Sequence, residues 1–181
     1  MVTGARQGLG RAICIALAGS GYDIIGVDTG MEGARDTGLG VIAAGARFDF
    51  RLADITRPEM VEALLTWAWT ACDGVEVLVA GAEMPMAAPQ GRESALGLAA
   101  AMVQRMAAGT APERGRRGLV LLAGEAAGRE EVLPAGLTAS LAEAAIPLLL
   151  LRRDHLPDAD GASREGDMVG AVVRLLAGTP G

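Results

Sequence analysis

The sequence predicts an α/β fold: a mainly parallel sheet with helices on both faces. Three observations carry that reading. Short β-rich apolar runs alternate along the chain with helical patterns, the order that builds parallel sheets through crossover connections. The 181 residues, 51% hydrophobic and 21% charged, suffice for one domain with a sizeable core and are too apolar for a disordered segment. A glycine-rich turn, Thr3 to Gly10, runs straight into a helical pattern.

Taken in order, Gly8 to Ala18 reads as a helix, with Ile13 and Leu17 on its inner face and Gly19 and Gly21 as stop signals. Tyr22 to Val27 is a short strand ending at Asp28, and a glycine-rich connection leads to a second strand, Ala46 to Phe50. Thr56, Pro58 and Glu59 form a capping box that opens a helix through Val61, Leu64, Leu65 and Ala68, ended by Asp73-Gly74. Trp67 and Trp69 are packing residues of that helix. Val75 to Val79 is an apolar strand running into Ala80, Gly81 and Ala82. Ser94 caps a helix ending near Gly109, on which Met102 and Met106 make one inner stripe, and Ala111 to Arg117 is a charged loop. Leu119 to Leu122 and Ile146 to Leu151 are further strands. Ser163 caps a last helix carrying Met168, Val169, Val172, Val173, Leu175 and Leu176. No repeat or linker interrupts the chain, so residues 1 to 181 read as one domain.

Composition removes several classes of function. A formal charge of −6 argues against nucleic acid, whose phosphates need a basic face. Glu143 breaks the apolar stretch from Leu137 to Leu151, so no membrane span is expected. Arg6 and Arg11 followed by Ala12 to Ala18 sit at the short limit for a leader peptide, and none is expected. Cys14 and Cys72 make neither a disulfide framework nor a metal knuckle and suit a reducing cytoplasm. His155, with Asp158 and Asp160 nearby, reads as part of a solvated loop, not as a metal ligand or base.

Thr3-Gly4-Ala5-Arg6-Gln7-Gly8-Leu9-Gly10 is the most informative stretch. In such a turn Gly4 permits the tight bend, Gly8 lets the backbone approach a pyrophosphate, and Gly10 lets the helix pack closely. The helix N-terminus offers N–H groups and a partial positive charge to phosphates. The strand that follows ends in Asp28, where a carboxylate accepts hydrogen bonds from both hydroxyls of a ribose.

In these residues the chain resembles the short-chain dehydrogenase/reductase family, whose glycine pattern is TGxxxGxG, and within it the 3-ketoacyl-acyl-carrier-protein reductases. The resemblance runs from Val2 to about Gly81 and more loosely from Met102 to Leu141. It implies a Rossmann-like, doubly wound parallel sheet that binds a nicotinamide dinucleotide. Here that sheet reads as incomplete: only Met1 and Val2 stand for the first strand, and the last strand is largely missing. Neighbouring strands would then hold unpaired backbone groups, each costing about 1 to 3 kcal/mol when buried. Leu52 to Thr56 matches the family segment that contacts adenine, which assigns that role to Asp54 and Ile55. Val77-Leu-Val-Ala-Gly-Ala-Glu83 falls where the family has a strand and Asn-Asn-Ala-Gly, which brings Ala80, Gly81 and Ala82 to the cofactor. Gly4, Arg6, Gln7, Gly8, Leu9 and Gly10 complete the set. Asp28 favours NAD, since a carboxylate there repels the 2′-phosphate of NADP. NADP users of the family carry a basic residue where this chain has Gln7 or Thr29, although Arg6 stands as a candidate phosphate partner.

The family's catalytic pattern is not matched. Family members use a serine, a lysine, an asparagine and a tyrosine, the tyrosine acting as general acid or base, a role worth about 10² to 10⁴ in rate. The serine position falls at Ala123 or Gly124, and the tyrosine–lysine pair at Gly136 with Ser140 or at Leu137 with Leu141. All sixteen basic residues are arginine, there is no asparagine, and the one tyrosine, Tyr22, stands on the strand before Asp28. Glu83 replaces the last glycine of the Asn-Asn-Ala-Gly segment, and a carboxylate about 4 Å from a phosphate costs up to about 4 kcal/mol at an effective dielectric of about 20. A short helix after Gly136 takes the place of the family's long dimer helix, and the substrate lid shrinks to about Arg152 to Ala162. The expectation is therefore a degenerate relative with an NAD site and no family catalytic set. The alternatives are a 3-ketoacyl-type oxidoreductase working with other residues, or a non-catalytic subunit of an active reductase, in a homo-oligomer or hetero-oligomer.

Overall fold

In the computed structural model, residues 1–81, 89–108, 118–123, 133–152, 166–167 and 169–174 are described. The apolar runs form one six-stranded sheet, and the patterns between them supply the helices. In chain order the elements are β1 (Val2–Thr3), α1 (Gly8–Gly19), β2 (Ile24–Asp28), α2 (Ala34–Ala43), β3 (Phe48–Leu52), α3 (Pro58–Ala71), β4 (Val77–Ala80), α4 (Pro89–Ala108), β5 (Gly118–Ala123), α5 (Ala135–Glu143) and β6 (Leu148–Arg152). Every strand pair is parallel and the spatial order is β3-β2-β1-β4-β5-β6. Parallel neighbours need long crossovers, which is why helices separate the strands. The order reverses between β1 and β4, where α/β sheets open a crevice at the carboxyl ends of the strands.

Alternation within the strands divides the core in two. Ile25, Val27, Leu78 and Ala80 point toward α3, α4 and α5 and pack on Leu64, Leu65, Leu98, Met102, Met106, Leu137 and Leu141. Val2, Ile24, Val77 and Val79 face the other way, onto Leu9, Ile13, Cys14 and Leu17 of α1, Val41 of α2 and Val172 of the C-terminal helical stretch. Trp67 and Trp69 are partly buried against the first of these layers, and the Arg51 guanidinium lies 3.7 Å from the centre of the Trp67 ring. No helix among the described residues is long and apolar enough to cross a membrane.

The expectation of unpaired backbone at the centre of the sheet is corrected. β1 is only two residues long, yet Val2 and Thr3 pair with Gly26 and Val27 on one side and Val2 with Val79 on the other. The Met1 carbonyl accepts from Val79 N at 2.9 Å, the Met1 amine donates to Val77 O at 2.7 Å, and Ala5 N reaches Val27 O at 3.3 Å. Flanking residues thus extend the pairing beyond the strand itself.

Other elements also depart from expectation. The glycine-rich connection before β3 contains a ten-residue helix, α2. Glycine lowers helix propensity, but closeness favours it here: a Cβ on Gly38 would lie 2.8 Å from the Phe48 ring, while one on Gly40 would meet only the mobile tip of Ile15. The capping box at Thr56 does not form; Arg57 is the N-cap residue of α3, without a side-chain cap, and Thr56 turns back to Asp54. Ser94 lies inside α4, which starts at Pro89. β2 and β3 each begin two residues later than the hydrophobic pattern suggests. The segment Ala111 to Arg117, His155, Ser163, Met168, Leu175 and Leu176 lie outside the described residues.

Candidate functional site

The chain leaves β1 at Thr3, bends at Gly4 (φ 69°) and enters α1 at Gly8 (φ 50°). The two later glycines do different things. A Cβ on Gly8 would meet nothing within 4 Å, so the space over the first turn of α1 is open. A Cβ on Gly10 would lie 1.9 Å from the Gly4 carbonyl oxygen, so α1 sits directly on its own approach loop. The N-cap Gln7 makes no side-chain cap and the first turn carries no acidic residue, which leaves its N–H groups and positive dipole end for an anion. Leu9 is buried beneath.

Long-range bonds hold this loop. Thr37 Oγ1 of α2 donates to Ala5 O at 2.9 Å in a buried position. Arg11 reaches out of α1 to the Arg6 carbonyl at 2.9 Å, the Gly33 carbonyl at 3.3 Å and Thr37 Oγ1 at 3.2 Å. On the other side Gly81 N donates to Thr3 Oγ1 at 3.0 Å, which fastens the exit of β4 to the exit of β1. Sequence reasoning missed Arg11 and Thr37 as parts of the site. Their only signal is that each stands one or two helical turns from a glycine, and their partners are distant in sequence.

Asp28 ends β2 with its side chain fully buried. Its Oδ1 accepts from Thr29 N at 2.8 Å and Gly30 N at 3.3 Å, and stands 3.1 Å from Arg6 Nε. Its Oδ2 accepts from Arg6 N at 3.3 Å. Arg6 and Asp28, expected as separate contacts for phosphate and ribose, are thus partners. Beyond β3, Asp54 Oδ1 accepts from Thr56 Oγ1 at 2.7 Å and Thr56 N at 2.9 Å, bonds that hold its carboxyl below the usual range. Ile55 follows, partly buried against the core, and Ala53 N bonds Asp28 O at 3.0 Å, joining the two strand exits.

Ala80 is the buried last residue of β4, and Gly81 after it has φ 95°. Ala82, Glu83 and Gly124 lie outside the described residues. Gly4 to Gly10, Asp28, Asp54, Ile55, Ala80 and Gly81 therefore share one edge of the sheet, at the carboxyl ends of β1 to β4. At the same edge Ala123 ends β5, in register with Arg152 of β6. On α5, Leu137 and Leu141 are buried in the core while Gly136 is exposed and Ser140 half-buried. Among the described residues no group of three His, Cys, Asp or Glu side chains could hold a metal ion.

An open, dipole-headed glycine turn beside the point where strand order reverses fits the diphosphate of a dinucleotide. The family model described as short chain dehydrogenase matches residues 1–109. The chain belongs to that family. Among short-chain dehydrogenase relatives, 3beta-hydroxysteroid dehydrogenase 1 of Eggerthella lenta is 32% identical over 95 residues, which are 52% of this chain and 36% of the relative. The match spans about a third of that protein's length. A metagenomic short-chain oxidoreductase in complex with NADP superposes with a TM-score of 0.68 at 20% identity, covering 99% of this chain and 89% of the other. A 3-oxoacyl-[acyl-carrier protein] reductase from Brucella melitensis in complex with NAD gives 0.67 at 21% identity, covering 96% and 79%. These structures share the short-chain dehydrogenase fold with this chain.

Proposed function

We propose that this chain binds a nicotinamide dinucleotide and lacks the proton-transfer group that reductases of its family use. The observation that carries the binding half is the contrast between Gly8, open to the outside, and Gly10, closed against Gly4. Backbone N–H groups at the head of α1 would hold the diphosphate, with Asp54 and Ile55 toward the adenine and Ala80 and Gly81 beneath the molecule. When bound, the nicotinamide would supply hydride chemistry. The residues standing where the family places serine, tyrosine and lysine are Ala123 with Gly136 and Ser140, or with Leu137 and Leu141, and none of these side chains titrates near neutral pH. Positioning of a dinucleotide without turnover follows. Preference for NAD over NADP rests on Asp28 and depends on whether that carboxylate is free to face a ribose.

Calorimetric titration of the purified chain with NADH and NADPH tests the binding half, with saturable heat expected. Silence with both at millimolar concentration would remove the reading. Reduction of an acetoacetyl thioester at rates usual for reductases would remove the non-catalytic half and restore a 3-ketoacyl-type oxidoreductase acting through other groups.

A second reading, a non-catalytic subunit paired with itself or with an active reductase, is favoured by the exposure of Met31, Leu39, Ile42 and Leu52, each more than half open to solvent. α5 gives it no support, because its apolar residues Leu137 and Leu141 face the core. A monomer in gel filtration that brings down no reductase counts against it.

A further inference from the structure

β3 ends the sheet, and its outer side pairs with no other strand among the described residues. Which of its backbone groups face outward follows from its ladder with β2. Ile24 N donates to Arg47 O at 2.8 Å and Ala53 N to Asp28 O at 3.0 Å, with the register unbroken from Ile24 opposite Phe48 to Asp28 opposite Leu52. A parallel ladder engages alternate residues of the edge strand, so Asp49 and Arg51 also turn their backbone groups to β2. The N–H and C=O groups of Phe48, Phe50 and Leu52 therefore point away from the sheet, a row that can template another strand. Side chains alternate as well. Phe48 and Phe50 pack on the layer of α1 and α2, and Leu52, more than half open to solvent, shares their face by the same alternation. Asp49 and Arg51 take the opposite face, both exposed, where the Arg51 guanidinium lies 3.7 Å from the centre of the Trp67 ring. Charged side chains protect an edge from its own copy only where like meets like. Here the two charges are opposite and two positions apart.

We infer that β3 is the contact surface for a second copy of this chain, the two edges joining antiparallel about a two-fold axis at Phe50. The inference rests on the self-pairing reading above, to which it gives a surface, and is independent of dinucleotide binding. In this register Phe50 exchanges both backbone bonds with Phe50 of the second copy, and Phe48 exchanges both with Leu52. Asp49 and Arg51 fall in the closer, non-hydrogen-bonded pairs, about 4.5 Å apart at Cα, so each Asp49 faces an Arg51 across the axis. An axis normal to the sheet keeps opposed side chains on one face, so Phe48 also meets Leu52. Other registers do worse. Centring the axis on Asp49 or on Arg51 keeps the bonds but sets like charge against like. Centring it on Phe48 runs the ladder to Ala46, before the strand begins, and opposes Asp49 to an Arg47 that already holds Asp23 at 2.6 Å. Centring it on Leu52 leaves Arg51 facing Ala53. The charge pattern thus selects one register.

The test is sedimentation of the full chain over a range of concentrations, alongside Asp49→Arg, Arg51→Asp and an equimolar mixture of these two variants, with thermal unfolding as the check on folding. The unmodified chain should reach twice the mass of one copy. Each variant alone carries like charges at both positions, so its dimer should dissociate with a constant at least about tenfold higher. The mixture sets a basic strand against an acidic one and should regain the dimer as a hetero-pair. A monomeric unmodified chain overturns the inference and the self-pairing reading together. A dimer that both substitutions leave unchanged, or a mixture that stays monomeric, overturns the β3 surface and leaves self-pairing standing. Where a variant does not fold, hydrogen exchange of the unmodified chain decides. Amides of Phe48, Phe50 and Leu52 should exchange more slowly as concentration rises, and rates that ignore concentration overturn the surface.

Discussion

Single groups in this molecule carry measurable liabilities. The Tyr22 hydroxyl is buried and has no hydrogen-bond partner in the described structure, a state that costs about 1 to 3 kcal/mol. Tyr22→Phe should therefore keep or raise the midpoint of thermal unfolding; a fall of several degrees would mean that the hydroxyl is satisfied after all. The Met1 amine is lowered from 8.0 to about 6 by burial. In a polypeptide that starts at Met1, the unfolded amine takes up a proton between pH 8 and pH 6 while the folded one resists. Stability from this group is complete above about pH 8 and drains as pH falls to about 6, by up to about 3 kcal/mol. Denaturant titrations at pH 6 and 8 read that slope, and it should persist in His155→Gln, which removes the one histidine in the chain. N-terminal acetylation should abolish it. At the same scale, the pairing of Arg6 with Asp28 was not legible in the sequence. Both residues stood out as candidates, but a spacing of twenty-two positions says nothing about whether one covers the other.

Elements were legible in proportion to how far local pattern decides them. α1 and α3 carry apolar residues three and four apart, and the structure keeps them, because an amphipathic stripe has to meet the sheet. α2 is not visible in the sequence: Gly38 and Gly40 argue against a helix in isolation, and Gly38 is explained only by the Phe48 ring pressed against it. The glycine turn is the reverse case, since Gly8 and Gly10 announce their roles by spacing alone. Gly10→Ala should lower stability by about 1 to 3 kcal/mol and weaken dinucleotide binding together, because the new methyl meets the Gly4 carbonyl, which is backbone. Thr37→Val keeps the volume of the side chain but removes its bond to Ala5 O. It should cost about 1 kcal/mol in denaturant unfolding, and no loss would show that the loop holds its shape without α2.

At the scale of the whole molecule, strand–helix alternation gave the layers. The sheet's shortest strand is two residues long, and the bonds from Met1 and Ala5 that complete its pairing have no signature in the sequence. Hydrogen exchange should reflect the resulting order. Amides of Val27 and Val79, at the centre, should exchange most slowly, and those of the edge strand β3 faster; the reverse ranking would mean that the middle of the sheet opens first. One buried atom offers a further handle on the same architecture. The Cys14 thiol has no exposure, lies where α1 meets the sheet, and is pushed up to about 12 by burial, whereas Cys72 is half-buried. A maleimide can reach Cys14 only while α1 stands away from the strands. Its labelling rate is therefore a clock for the lifting of α1, the helix proposed to hold a diphosphate at its head, and a ligand seated there should slow that clock while leaving Cys72 unchanged.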